Sequence, residues 1–193
     1  MRHRPTARLA APLLFGLALA GCGASGATST SDPAANAPKI TFRSAAIHGT
    51  TLPALYTCDG KDTPPPLEWG ALPRGTGSLV LFVNGLAPTA KGGYKIAVAW
   101  AVAGIDPQLH HLDPGRLPLG AVVGVATDGR RNYSICPAQG TLEQYQFELY
   151  GLPRGAAVAR QFAGLPVLKA LATRNSTSPA DAYGDFVVTY KRA

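Results

Sequence analysis

The chain has 193 residues and a formal net charge of +7. Three of its 18 basic residues, Arg2, Arg4 and Arg8, precede residue 22, and without them the excess falls to +4. The remaining basic residues are spread along the chain in runs no longer than two, such as Arg130-Arg131. A nucleic-acid-binding surface normally concentrates its positive charge, so this composition does not favour a nucleic-acid partner.

The first predicted element is a secretion signal. An apolar run from Leu9 to Ala20 follows the basic start, and it is shorter than the roughly 20 residues that a transmembrane helix needs. The run ends in Leu19-Ala20-Gly21-Cys22, which resembles the lipobox of bacterial lipoproteins. The resemblance implies that residues 1–21 are removed and that Cys22 is acylated, for example with palmitate. We therefore expect a lipid-anchored protein on the extracytoplasmic face of the cell membrane. An ordinary secretion signal with an incidental cysteine is the alternative.

Beyond the signal, the sequence predicts a tether and one domain. Residues 22–38 are rich in Gly, Ala, Ser and Thr and read as a flexible tether, and residues 39–193 are long enough for one domain. Apolar runs and alternating patterns predict strands over 40–42, 78–83, 95–102, 144–150 and 185–190. Helical signal is confined to 156–160 and 165–173, so the domain is predicted to be mostly β.

Cys58 and Cys136 remain once Cys22 is committed to lipid. An even number of cysteines in an oxidising compartment predicts a disulfide, and a bridge across 78 residues would remove about 4–5 kcal/mol of unfolded-chain entropy. A zinc site is the rival use, but two thiols without a nearby His or Cys pair are a poor ligand set. The sequence predicts neither a metal nor a cofactor.

Five short strings together resemble one family. The first is Tyr56-Thr57-Cys58-Asp59-Gly60, and the second is Pro65-Pro66-Leu67 with Trp69. The third is Leu72-Pro73 with Gly75-Thr76 and Ser78-Leu79, and the fourth is Gly124 with Asp128-Gly129, Tyr133 and Cys136-Pro137. The fifth is Tyr145, Phe147, Leu149 and Tyr150. Their order is similar to that of the bacterial phosphatidylethanolamine-binding-protein-like proteins of the YbhB/YbcL group, also called Raf kinase inhibitor-like proteins. The resemblance covers roughly residues 40–193. It implies two packed, mainly antiparallel sheets with a few short helices toward the C-terminus. It also implies a small pocket that binds phosphate or a phosphorylated head group.

The pocket positions depart from the family pattern. Asn84-Gly85-Leu86-Ala87-Pro88 stands where the family has Asp-Pro-Asp-Ala-Pro, and Ala99 replaces the histidine of its Val-His-Trp string. Glu143 stands where a second histidine is expected, and an ionised carboxylate can only accept hydrogen bonds. The resemblance therefore implies a degenerate anion pocket, with Asn84, Ala99, Trp100, Tyr133 and Glu143 as its candidate ligand-binding residues.

Each candidate also has a purely structural interpretation. Asn84-Gly85 is typical of a tight turn, and Glu143 of an exposed carboxylate at a strand end. Tyr133 suits core packing as well as a ligand cavity, and large aromatics such as Trp100 mostly belong to the core.

These observations favour a membrane-anchored, non-enzymatic binding protein, because the chain carries no recognisable hydrolytic motif. Its ligand would be a small anionic or phospholipid-like molecule or an envelope protein. One alternative is an inhibitor of a protease or other enzyme that acts through the 87–94 loop. Another is that backbone amides and Tyr133 retain phosphate binding. The weakest is an enzyme with Glu143 as general acid or base.

Overall fold

The computed structural model describes residues 38–172 and 181–193. Two antiparallel sheets form most of it, and the strands and helices have the following bounds: β1 Phe42–Arg43, a 3₁₀ helix Ala54–Tyr56, β2 Leu67–Trp69, β3 Thr76–Pro88, β4 Tyr94–Ile105, β5 His111–Leu112, β6 Val122–Val123, β7 Leu142–Pro153, α1 Gly164–Ala172 and β8 Ala182–Lys191. The mostly-β fold that the sequence predicts is confirmed. Among these elements, no helix is long and apolar enough to cross a membrane.

The large sheet has the order β6-β4-β3-β7-β8, with β3 at its centre. Leu79 to Val83 are fully buried because both faces of this strand are covered, which explains the uninterrupted apolar run in the sequence. One face packs against the small sheet β1-β2-β5, and we call it the core face. The other, the helix face, packs against α1 and Phe162.

The predicted disulfide is confirmed. Cys58 and Cys136 are bonded, and the Cys58 amide also donates to the Ile135 carbonyl at 3.1 Å. The bridge ties the turn after the 3₁₀ helix to the loop that precedes β7, which forms part of the site described below.

The pairing of β3 with β4 contains an irregularity that decides which side chains share a face. Val83 pairs with Trp100 and Asn84 pairs with Val98, so Ala99 is an extra residue, as in a β-bulge. Ala99 and Trp100 consequently both pack on the core face, whereas Val98 packs on the helix face.

One local prediction is wrong. Residues 156–160 are not helical, since the chain turns at Gly155, which has a φ of +84°, and then runs on irregularly. Five residues are too few to offset the cost of starting a helix without strong packing. The second predicted helix is observed as α1; the last predicted residue, Thr173, lies outside the described residues.

Candidate functional site

A cavity of about 230 Å³ opens at one end of the large sheet, on its core face. We call this end, where β3 and β4 join in a hairpin, the pocket end. The strands contribute Gly85, Ala97, Val98, Ala99, Glu143 and Tyr145, and the loops contribute Thr127, Asp128, Arg130, Ser134 and Cys136.

Glu143 provides one of the two carboxylates that line this cavity, and Asp128 provides the other. Glu143 is half-buried as the second residue of β7, rather than exposed at a strand end as one interpretation of the sequence predicted. The Tyr145 hydroxyl donates to its Oε2 at 2.9 Å, and burial raises the pKa of Tyr145, so this donor keeps its proton. Gly85 leaves space for the carboxylate, because a Cβ there would lie 2.7 Å from Glu143 Oε1.

The single basic residue of the cavity lining is already paired. Arg130 Nε donates to Asp128 Oδ2 at 2.6 Å, and the same guanidinium makes an ion pair with that carboxylate. This contact lowers the pKa of Asp128 and raises that of Arg130. With this pair balanced, the formal charge of the lining is −1 and comes from Glu143.

Four backbone amides near the cavity donate hydrogen bonds within the protein. The Val98 amide donates to Thr127 Oγ1 at 2.8 Å, and the Thr127 amide donates back to the Val98 carbonyl at 2.9 Å. In the adjoining turn, the Ala126 amide donates to the Arg130 carbonyl and the Arg130 amide to Asp128 Oδ1. Anion binding through these amides would require the loop to break its own hydrogen bonds.

Asn84 is neither a turn residue nor part of this cavity. It lies inside β3 and is 1% exposed, and its side chain points to the helix face, where Nδ2 donates to Glu148 Oε2 at 2.5 Å. The turn signal of Asn-Gly is overridden because β4 and β7 pair with β3 on both sides at this point.

Glu148 is a buried polar residue that sequence reasoning missed. Its Oε1 accepts hydrogen bonds from the Tyr183 hydroxyl at 2.9 Å and the Tyr150 hydroxyl at 3.3 Å. Burial raises the pKa of Glu148, although these hydrogen bonds oppose the shift. The alternating polar and apolar residues of 144–150 predict that the face of β7 carrying Glu148 is exposed to solvent. In the structure, α1 and its neighbours cover that face around Glu148.

Trp100 and Tyr133 contact each other away from the 230 Å³ cavity. Their rings meet edge to face with centroids 5.5 Å apart, and the Tyr133 hydroxyl donates to the Tyr56 carbonyl at 2.8 Å. Both belong to the core and border a second hollow of about 270 Å³ with Leu117 and Arg131. Of the five candidate residues, only Ala99 and Glu143 line the 230 Å³ cavity.

The loop residues Thr127, Asp128, Arg130, Ser134 and Cys136 also line the cavity, and sequence reasoning did not select them as ligand contacts. Asp128 and Cys136 belong to the string that carries the family resemblance, so that string was the available signal.

Comparison with known proteins decides the family. The family model described as phosphatidylethanolamine-binding protein matches residues 42–184. The chain belongs to the phosphatidylethanolamine-binding protein family. A Mycobacterium tuberculosis protein named "Putative lipoprotein LppC" is 32% identical over 187 residues, covering 88% of this chain and 90% of its own length.

Solved structures show the same fold. YbcL of Escherichia coli superposes with a TM-score of 0.65 at 21% identity, covering 80% of this chain and 99% of its own. The homologue CT736 of Chlamydia trachomatis gives 0.65 at 24% identity with the same coverage. The family resemblance predicted from the five strings is thus confirmed.

Proposed function

We propose that this protein is a lipid-anchored, extracytoplasmic binding protein without enzymatic activity. Its pocket would take a small molecule through a positively charged or hydrogen-bond-donating group, rather than through a phosphate. The observation that carries this proposal is the Glu143 carboxylate, held by Tyr145 over a cavity whose one arginine is neutralised by Asp128.

The charge balance argues against an anionic ligand. A phosphate at contact distance from Glu143 would meet a repulsion on the order of 1 kcal/mol per unit charge in water and several times more in a partly buried site. Arg130 offers little compensation because Asp128 already occupies it. The negative charge of Glu143 attracts an ammonium group, which can also donate hydrogen bonds to the carboxylate.

Membrane anchoring is supported by two observations. Cys22 ends a lipobox-like string, and the protein named as a putative lipoprotein aligns with 88% of this chain. Growth with an alkyne analogue of palmitate should label the wild-type protein and leave the Cys22→Ser variant unlabelled. Equal labelling of both would contradict acylation at Cys22.

Calorimetry tests the ligand preference. We expect ethylammonium to bind wild-type protein saturably, and Glu143→Gln to weaken that binding by about tenfold, corresponding to about 1.4 kcal/mol. Glu148→Gln is the matched control, since it removes a carboxylate from the same strand on the opposite face. Heat of binding from inorganic phosphate and none from ethylammonium would contradict the proposal.

A loop-mediated inhibitor is the second candidate function, and exposed apolar side chains next to the pocket favour it. The 87–94 segment is a tight β-hairpin, with Thr89 Oγ1 donating to the Gly92 carbonyl at 2.6 Å. Tyr94 is 57% exposed and Ile96 42% exposed on this hairpin. A Tyr94→Ser, Ile96→Ser variant should then recover fewer envelope partners than wild type in a pull-down, and equal recovery would argue against inhibition.

A further inference from the structure

We infer that the domain docks on an anionic lipid surface with the end of the large sheet opposite the pocket. The inference rests on the lipid anchor of the proposed function and specifies how the domain sits once it is anchored. The loop of residues 113–121 would contact the lipid, and the pocket would face away from the membrane.

The chain enters the domain at the end of the sheet that we call the tether end. The Tyr183 amide, at the start of β8, donates to the Pro38 carbonyl at 3.0 Å, and Lys39 forms a bridge with Tyr183. The start of β8 pairs with the end of β7, which in turn pairs with the start of β3. These strand ends are the ones farthest from the β3–β4 hairpin and its cavity.

An exposed apolar loop lies at the same end. The Gly120 carbonyl lies 3.0 Å from the position of a Cβ on Gly104, near the end of β4. Leu119, one residue earlier, is completely exposed, and Leu117 is 40% exposed. The Ala121 amide donates to the Pro118 carbonyl at 3.2 Å, closing a turn that presents Leu119 outward. A fully exposed leucine at a loop tip is suited to insertion between lipid head groups.

Basic residues accompany this loop. Arg74, Arg116 and Arg154 are exposed at the tether end, and the Arg154 amide donates to the Gly75 carbonyl at 3.0 Å, which brings two of them together. Among the exposed residues at this end, Asp106 and Asp113 oppose the three arginines and Lys39 pairs with Asp185, so the exposed basic residues exceed the exposed acidic ones by one. Asp181 also lies at this end but is buried. Guanidinium groups bind lipid phosphates bidentately, and this contact complements the apolar one.

The position of the lipid anchor in the chain favours the tether end over the pocket end as the docking surface. Pro38 follows Cys22 by 16 residues, so the chain enters the domain at the tether end soon after the proposed lipid anchor. The ten residues of β8 extend for about 30 Å beyond the entry point. Contact through the pocket end would therefore require the chain between Cys22 and Pro38 to reach along the length of β8, whereas contact through the tether end would not.

The pocket end is the rival surface, because Tyr94, Ile96 and Leu142 are also exposed there. Docking through it would place the mouth of the cavity against lipid. The experiment must therefore compare the two ends directly.

Tryptophan quenching can make this comparison in the acylated mature protein. The native tryptophans Trp69 and Trp100 are only 5% and 3% exposed, so brominated lipid should not reach them. A change in fluorescence therefore reports the surroundings of the added surface tryptophan. We would reconstitute Leu119→Trp and Leu142→Trp in vesicles of phosphatidylcholine and phosphatidylglycerol with brominated acyl chains. Docking predicts that Leu119→Trp fluorescence is quenched by about half, whereas Leu142→Trp changes little. Quenching of Leu142→Trp instead, or of neither variant in vesicle-bound protein, would overturn the inference.

A second measurement is independent of acylation. The mature chain from residue 22 with Cys22→Ser should co-sediment weakly with the same vesicles, and added salt should release it. Leu119→Ser should lower this partition several-fold, and Leu142→Ser should leave it unchanged. If the Cys22→Ser chain does not co-sediment with the vesicles, docking is contradicted, even if palmitate labelling shows that the lipid anchor exists. If the chain co-sediments but wild type is not labelled with palmitate, only the anchor is contradicted.

Discussion

Two glutamates of β7, Glu143 and Glu148, lie in different environments because they occupy positions of opposite orientation on the strand. Glu143 and Glu148 are five residues apart, so their side chains point to opposite faces of the sheet. Glu143 lines a cavity that opens to solvent, whereas Glu148 is 7% exposed and surrounded by Asn84, Tyr150 and Tyr183. The sequence identified Glu143 through its place in the family pattern, but it did not indicate Glu148, whose burial depends on distant residues.

The Glu148 environment predicts a pH-dependent effect of Glu148→Gln. Because burial raises the pKa of Glu148, the folded protein binds its proton more tightly than the unfolded chain does, and the wild-type free energy of unfolding falls as pH rises through the interval between the two pKa values. The variant lacks this loss, so its stability relative to wild type should increase as pH rises above about 4.5 and then level off. Urea unfolding at a series of pH values measures this difference. A difference that is constant with pH, or that shrinks as pH rises, would show that Glu148 does not carry the effect.

At the scale of elements, the long strands were predictable, whereas the short strands β2, β5 and β6 and the side-chain directions were not. Continuous apolar runs predicted β3 and β4, since a strand buried on both faces needs apolar residues throughout. The bulge at Ala99 left no recognisable signal, although it places Ala99 and Trp100 on the same face. Asn84-Gly85 was misread as a turn because pairing on both sides, together with Glu148, outweighs the local preference.

The disulfide offers a test at this scale. The Cys58→Ala, Cys136→Ala variant should lose about 4–5 kcal/mol of stability, because an unbridged unfolded chain gains the entropy of a loop of 78 residues. Urea unfolding measures the loss, and Cys22→Ser is the matched control because Cys22 takes no part in the bridge. A loss below about 1 kcal/mol would mean that the hydrogen bonds of this region hold it without the bridge.

Close packing between β8 and the start of the domain offers another test. A Cβ on Gly184 would lie 2.6 Å from the Ile40 carbonyl oxygen and 2.9 Å from Phe42 Cβ, so Gly184→Ala forces backbone to move. We expect a loss of about 1–3 kcal/mol in urea unfolding. Gly70→Ala is the control, since its nearest contact would be an ordinary 3.6 Å. Equal stability of the two variants would contradict the packing described here.

At the scale of the whole molecule, five short strings sufficed to recognise the family because they lie in order along nearly all of the domain. The same strings could not define the site. Asn84, Trp100 and Tyr133 were selected through the family pattern, yet none of them lines the cavity that Glu143 lines. Which motif residues meet depends on register and on the bulge, and both are set by pairing between distant strands.

The chain has the family fold, and our central proposal is that its pocket does not bind phosphate. Titration of isotope-labelled wild-type protein with inorganic phosphate, followed by amide NMR shifts, tests it most directly. Our account predicts no saturable shifts for Gly85, Ala99 and Tyr145, whereas ethylammonium should shift them. Saturable phosphate shifts at these residues in the millimolar range or below would contradict it.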